Sequence, residues 1–280
     1  MKKKVKTRKK ITLQSVIMYI LLILTALMFA TPMLFTLLSS IKTKVEIFAK
    51  PFSWPEVPQW SNYVEAWTSA NMSHYFLNSL IQAGATVIVL AIVSTMAAYV
   101  LSRFDFKCNK LLFFMLGMMV PVHTVLVPVS YIIGALNLKN NIPALVMIYV
   151  AFSLPFSILV VTNFMKGVNR SLEEAALIDG ATYFQIYKNV MLPMTVPAIS
   201  TISIFNFLGA WNNILFPLLF INDKNLKPIA LGLLNFNGER GSDYGPLMAA
   251  IVITVAVPLV IYLLFQEKVE GGLAAGAVKE

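Results

Sequence analysis

Charged side chains divide this chain into six long uncharged windows: Ile11 to Ile41, Ala66 to Ser102, Leu111 to Leu138, Asn140 to Met165, Asn189 to Asn222 and Tyr244 to Gln266. A helix needs about 20 apolar residues to cross the hydrocarbon core of a bilayer, so each window holds one span. The two longest windows include interfacial flanks rather than second crossings. The pattern predicts an all-α integral membrane protein with six transmembrane helices. Composition agrees: 12% of the residues are charged and 58% are hydrophobic, whereas about a quarter of a soluble domain is charged.

Lys and Arg orient the spans. With alternating helices and the N-terminus inside, fifteen of the 22 basic residues fall on the cytoplasmic side, seven of them in the first ten residues. The outside receives Lys42, Lys44, Lys50, Lys139, Lys224, Lys227 and Arg240. The positive-inside rule therefore predicts both termini in the cytoplasm. The net charge of +9 is then a topology signal at an anionic lipid leaflet, and no nucleic-acid partner is expected. The chain divides into a basic cytoplasmic N-terminus (1–10), a six-helix transmembrane domain (11–265) and a cytoplasmic tail (266–280). The first window far exceeds the ~7 to 15 apolar residues of a secretory signal, which makes it an uncleaved span. A lone cysteine, Cys108, excludes an internal disulfide and falls in an expected cytoplasmic turn.

Between the fourth and fifth windows lies Ser171 to Pro193, SLEEAALIDGATYFQIYKNVMLP. Ser171 with Glu174, and Thr182 with Gln185, have the spacing of capping boxes and predict two helix starts. Gly180 suits the left-handed turn that ends the first helix, and Pro193 is expected to end the second. Leu172, Ala175, Ala176 and Asp179 recur on one side of the first helix, with small side chains that permit close approach. Tyr183, Ile186, Tyr187 and Val190 form an apolar stripe on the second. By physics alone this unit is either a docking device or an amphipathic hairpin at the membrane surface.

The same residues spell Glu174-Ala175-Ala176, Gly180, Val190 and Leu192-Pro193, which resembles the EAA loop of ABC importer permeases. Val190 stands where the family usually has isoleucine. Ser40, Lys42, Glu46, Phe48 and Pro51, then Asn62-Tyr63 and Asn78-Ser79, fit the same family. Trp211-Asn212 and Pro217-Leu218, and the ending Gly272-Leu273 and Gly276-Ala277-Val278-Lys279, are similar to its carbohydrate-uptake branch. The match resembles most the smaller permease subunit of maltose-type importers. That resemblance implies a multi-pass protein of the bacterial cell membrane, in contact with membrane lipid, forming half of a pathway with a second homologous permease. It also implies a dimer of cytoplasmic ATP-binding subunits, an extracytoplasmic solute-binding protein and a sugar substrate. In that family the loop, here Glu174, Ala175, Ala176, Asp179, Gly180, Leu192 and Pro193, docks in a cleft of the ATPase.

The fifth window is the most polar, with Ser200, Thr201, Ser203, Asn206, Asn212 and Asn213 around Trp211. Either these groups hold helices together, or Asn206, Trp211, Asn212 and Asn213 line a solute pathway. In the second case amides bond to hydroxyls and the indole face packs on a sugar ring. His123, between Pro121 and Pro128, has no ionisable partner in any window and is expected to be neutral. The aromatics Trp54, Trp60, Tyr63 and Trp67 of the first outer loop suit either headgroup anchoring or contact with a receptor.

No Walker loop, nucleophile with its base or metal-ligand spacing occurs, so neither catalysis nor any cofactor or metal is expected. An ion-coupled carrier would place ionisable groups inside the bilayer, and the six windows oppose it. A membrane enzyme would need a polar catalytic cluster at the interface. An importer of amino acids, polyamines or phosphonates would share the EAA loop but not the Trp211-Asn212 segment or the tail.

Overall fold

The computed structural model of the chain describes residues 12–69, 71–104, 116–238 and 241–277. The basic N-terminal run and Cys108 lie outside the described residues. Thr12 accepts the Ser15 amide at 3.3 Å and starts α1 (Leu13–Ser39). After the short helices α2 (Lys44–Ala49) and α3 (Ser61–Ser69) comes the 32-residue helix α4 (Met72–Arg103). A 3-10 turn, Val122–Val125, leads into α5 (Leu126–Ala135), and Asn141 caps α6 (Ile142–Lys166) by accepting the Ala144 amide at 3.0 Å. The loop helices α7 (Ser171–Ile178) and α8 (Tyr183–Met194) precede α9 (Val196–Trp211), α10 (Leu215–Phe220), α11 (Ile229–Gly232) and α12 (Tyr244–Ala277). Two-residue strands, Asn237–Gly238 and Gly241–Ser242, pair as a minor hairpin before α12.

Four described helices are long and apolar enough to span: α1, α4, α6 and the Tyr244–Gln266 part of α12. α8 and α9 make a fifth only if their 72° bend lies within one span, and the third window contributes the shorter apolar stretch Val122–Ala135. α12 runs as helix to Ala277, beyond the Tyr244–Gln266 stretch that is apolar enough to span.

Packing is centred on α4, which lies along α6 on one side and α9 on the other, with α9 also against α12. α4 carries buried Ser79, Gln82, Thr86, Ser94, Thr95 and Ser102. Several of these satisfy themselves locally, as Thr86 does by donating to the Gln82 carbonyl at 2.7 Å. Three apolar clusters make up the core. One joins Tyr75, Trp211, Ile229 and Ala249, a second joins Leu145, Tyr149, Phe216 and Phe220, and a third joins Tyr99, Met165, Ile186 and Met191. Outside them α1 leans on α12 and otherwise presents an apolar surface, as expected of a helix facing lipid or another subunit.

The loop between α1 and α3 is a self-satisfied knot. The fully buried Lys42 ammonium donates to the carbonyls of Lys50 at 2.8 Å and Pro51 at 3.0 Å. Asn62 donates its amide to the carbonyls of Ser40 and Lys42, both at 3.0 Å. Glu46 closes a capping box with Thr43 and accepts the Glu56 amide at 3.0 Å, bonds that hold its carboxyl below the usual pKa. The pattern Ser40, Lys42, Glu46, Pro51 and Asn62 therefore has a conformational role.

Candidate functional site

The loop between α6 and α9 is built from backbone signals. Gly180 has φ +83°, its amide donates to the Leu177 carbonyl at 3.0 Å, and Ala181 donates to the Ala176 carbonyl at 2.9 Å. These two bonds form a Schellman turn, which satisfies the free carbonyls at the end of α7 and needs a residue at ease in the left-handed region. Thr182 and Gln185 then form the expected capping box: the Thr182 amide donates to the Gln185 side chain at 2.7 Å, and the Gln185 amide to the Thr182 hydroxyl at 3.3 Å.

Two local expectations are corrected. Ser171 is the first helical residue rather than the cap, because the Asn169 side chain reaches the Ser171 amide at 3.0 Å and removes the need for a Ser171–Glu174 box. Pro193 does not end the second helix. The backbone opens into a π turn over Tyr187–Met191, where Leu192 donates to the Tyr187 carbonyl, and Pro193 follows with no amide hydrogen to place. The break comes at Thr195, whose hydroxyl donates to the Met191 carbonyl at 2.6 Å.

One side of this unit is held and the other is open. Ile186 and Met191 are buried in the third apolar cluster, with Ala176, Tyr187 and Val190 packed against it. Ala176 thus faces inward, not outward with Ala175 as helical spacing suggested. Leu192 is half-buried. On the open side Glu174, Ala175, Asp179, Gly180 and Pro193 are exposed, and Ile178 is 86% exposed beside them. Leu172, Ala175, Ile178 and Asp179 share one face of α7.

The sequence reading missed the residue that fixes the inner side. Arg103, at the end of α4, forms an ion pair with Glu173 and donates to the Val168 carbonyl at 3.1 Å. Both charged side chains are almost fully buried, at 7% and 12% exposure. The available signal was a second acidic residue placed directly before Glu174-Ala175-Ala176, and a cation ending an apolar window.

The four pathway candidates separate. Trp211 is fully buried, donates its indole N–H to the Thr254 carbonyl at 3.1 Å, stacks on Phe207 and meets Phe76 edge-on. It is a core residue and offers no face to a sugar. Asn206 is buried and joins α9 to α6 by donating to the Ser157 hydroxyl at 3.0 Å. Asn213 accepts the Phe216 amide at 3.2 Å and so helps to start α10. Asn212 is exposed, on the same face of α9 as exposed Phe205 and Gly209. Ser200 and Ser203 border an apolar groove of 340 Å³ between α4, α9 and α12, with Val87, Phe207 and Phe265 among its other walls. Among the described residues no group of three or more His, Cys, Asp or Glu side chains could hold a metal ion.

Residues 110–274 match the family model described as binding-protein-dependent transport system inner membrane component. The diacetylchitobiose uptake system permease protein NgcG of Streptomyces coelicolor is 38% identical, over 94% of this chain and 88% of its own. The probable starch degradation products transport system permease protein AmyC of Thermoanaerobacterium thermosulfurigenes is 30% identical, over 97% of this chain and 100% of its own. A crystal structure of a bacterial ABC transporter involved in the import of the acidic polysaccharide alginate shares the fold, with a TM-score of 0.81 at 20% identity over 90% of this chain and 95% of that one. The matched stretch takes in the loop, the bent α8–α9 pair and most of α12, and the chain belongs to the family of binding-protein-dependent transport system inner membrane components.

Proposed function

We propose that this chain is a permease subunit of an ATP-driven ABC importer, lining half of a membrane pathway for a sugar or oligosaccharide delivered by a solute-binding protein. The observation that carries the proposal is the loop with one side anchored in the spans and an open side of Leu172, Ala175, Ile178 and Asp179. An apolar side chain 86% exposed at the end of α7 fits a partner's cleft better than water. In this reading the loop docks on a separate ATP-hydrolysing subunit, and the chain has no catalytic role. Both termini are cytoplasmic, and the window from Leu111 to Leu138 supplies the sixth crossing. A second homologous permease covers the apolar faces of α1 and α9.

Sugar as the solute is supported by the names of NgcG and AmyC. Asn212 and the Ser200 and Ser203 hydroxyls are the polar groups that reach the open faces of α9 and so suit hydroxylated solutes. The test is uptake of labelled chitin-derived and starch-derived oligosaccharides by cells with and without the chain. Loss of uptake of at least one oligosaccharide is expected. Unchanged uptake of all of them, with loss of amino-acid or polyamine uptake, would replace the sugar reading with the non-sugar importer.

A further inference from the structure

α4 grips the docking loop at three points spaced one helical turn apart. The Thr95 hydroxyl lies 2.9 Å from the Tyr187 hydroxyl, the Tyr99 ring packs on the Tyr187 ring at 5.6 Å, and Arg103 pairs with Glu173. Thr95, Tyr99 and Arg103 are related by i, i+4 and i+8, so they share one face of the rod. Arg103 alone reaches three parts of the loop: the Val168 carbonyl before α7, Glu173 within α7, and the Met191 sulfur at the end of the π turn. Phe104 extends the grip by meeting Tyr183 edge-on at 5.5 Å.

The opposite end of α4 holds the outer loop. Asn78 donates its amide to the carbonyls of Asn225 at 2.7 Å and Lys227 at 3.1 Å, and the Ser79 hydroxyl accepts the Ile229 amide at 2.8 Å. Gly232 sits so close to Tyr75 that an added Cβ would lie 2.1 Å from the ring. From Asn78 to Arg103 the rod spans about 38 Å, at about 1.5 Å per residue.

What lies between decides how motion travels. α1, α6 and α12 contain Pro32, Pro155 and Pro258, and the loop's own exit into α9 passes a π turn and a 72° bend. α4 is the long described helix without proline or break. Prolines and π turns are the usual places where helices flex.

We propose that α4 and the docking loop move as one body, with Arg103 as the positioning residue that locks them. Displacement of the loop is then delivered across the membrane to the 225–232 segment, while the α8–α9 joint absorbs the change of angle. This rests on the reading of the loop as the ATPase docking site.

The test uses the assembled importer with Cys108→Ser and spin labels at Leu77, exposed near the outer end of α4, and Lys188, exposed on α8. The expected result is a label distance that agrees within about 2 Å between the ATP-free and ATP-bound states, the scale of small helix shifts. With Arg103→Ala the distribution should broaden and uptake should fall at least tenfold, while the ATPase stays attached and active. A shift beyond about 5 Å, the size of a one-turn ratchet, in the importer with Arg103 intact would overturn the single-body proposal. Uptake within twofold of normal in Arg103→Ala would overturn the role of that residue. Loss of the ATPase from Arg103→Ala would also overturn it, by making the pair part of the docking surface. Failure of the docking reading itself would differ: no ATPase would accompany the unaltered chain.

Discussion

Replacing Gly180 isolates the geometry of the turn between α7 and α8 from its surface. An added Cβ meets nothing within 4 Å, so the φ of +83° is the main local penalty. An ordinary L-residue in the left-handed region costs about 1 to 2 kcal/mol, and a β-branched one lies at or above the top of that range. If the turn relaxes instead, the Gly180 and Ala181 amides lose their bonds to Leu177 and Ala176, each contributing about 0.5 to 1.5 kcal/mol. Relaxation, at about 1 to 3 kcal/mol for the two bonds, lowers the population of the correctly angled hairpin by about 5- to 150-fold, and the strained turn, at about 2 kcal/mol or more for valine, by about 30-fold or more. Gly180→Val should therefore insert and pair with the second permease normally, yet show weakened ATPase co-purification or solute-stimulated ATP hydrolysis. Gly180→Asn tolerates this φ and should stay close to the parent. Normal uptake and normal stimulated hydrolysis in Gly180→Val would refute the reasoning and leave the loop as an interfacial hairpin.

Trp211→Ala should lower the thermal stability of the purified protein, by about 3 to 5 kcal/mol for a large core aromatic. Asn212→Ala should leave stability within about 0.5 kcal/mol and reduce uptake; equal stability loss in both would contradict the division between core and pathway. Gly232→Ala forces a Cβ to 2.1 Å from Tyr75 and should cost about 1 to 3 kcal/mol in a melting experiment, as overpacking does. Cys108 should resist an impermeant thiol reagent added outside intact cells, and its labelling there would reverse the topology.

What the sequence reveals here is what the backbone decides locally. Gly180 and the Thr182–Gln185 box are readable because their partners lie within four residues. The Ser171 box fails because Asn169, two residues earlier, competes for the same amide. Trp211 looks like a sugar platform only until Thr254, 43 positions away, is seen to take its indole hydrogen. Arg103 and Glu173 are 70 positions apart, so the pair cannot be read without the fold that brings α4 beside the loop. Lys42 and Asn62 are recognisable as a pattern, but their task of binding the loop's carbonyls is visible only in three dimensions. The six windows set the class of protein, yet they cannot show that the fifth bends by 72° where it leaves the loop.

The most direct test is transport by this chain reconstituted in lipid vesicles with the second permease and the ATPase that the proposed function calls for. Sugar should enter only with the solute-binding protein outside and ATP at the ATPase face. Ionophores that collapse every ion gradient should leave the rate unchanged. Uptake that proceeds without ATP, or stops with ionophore while ATP is still present, would contradict the proposed function.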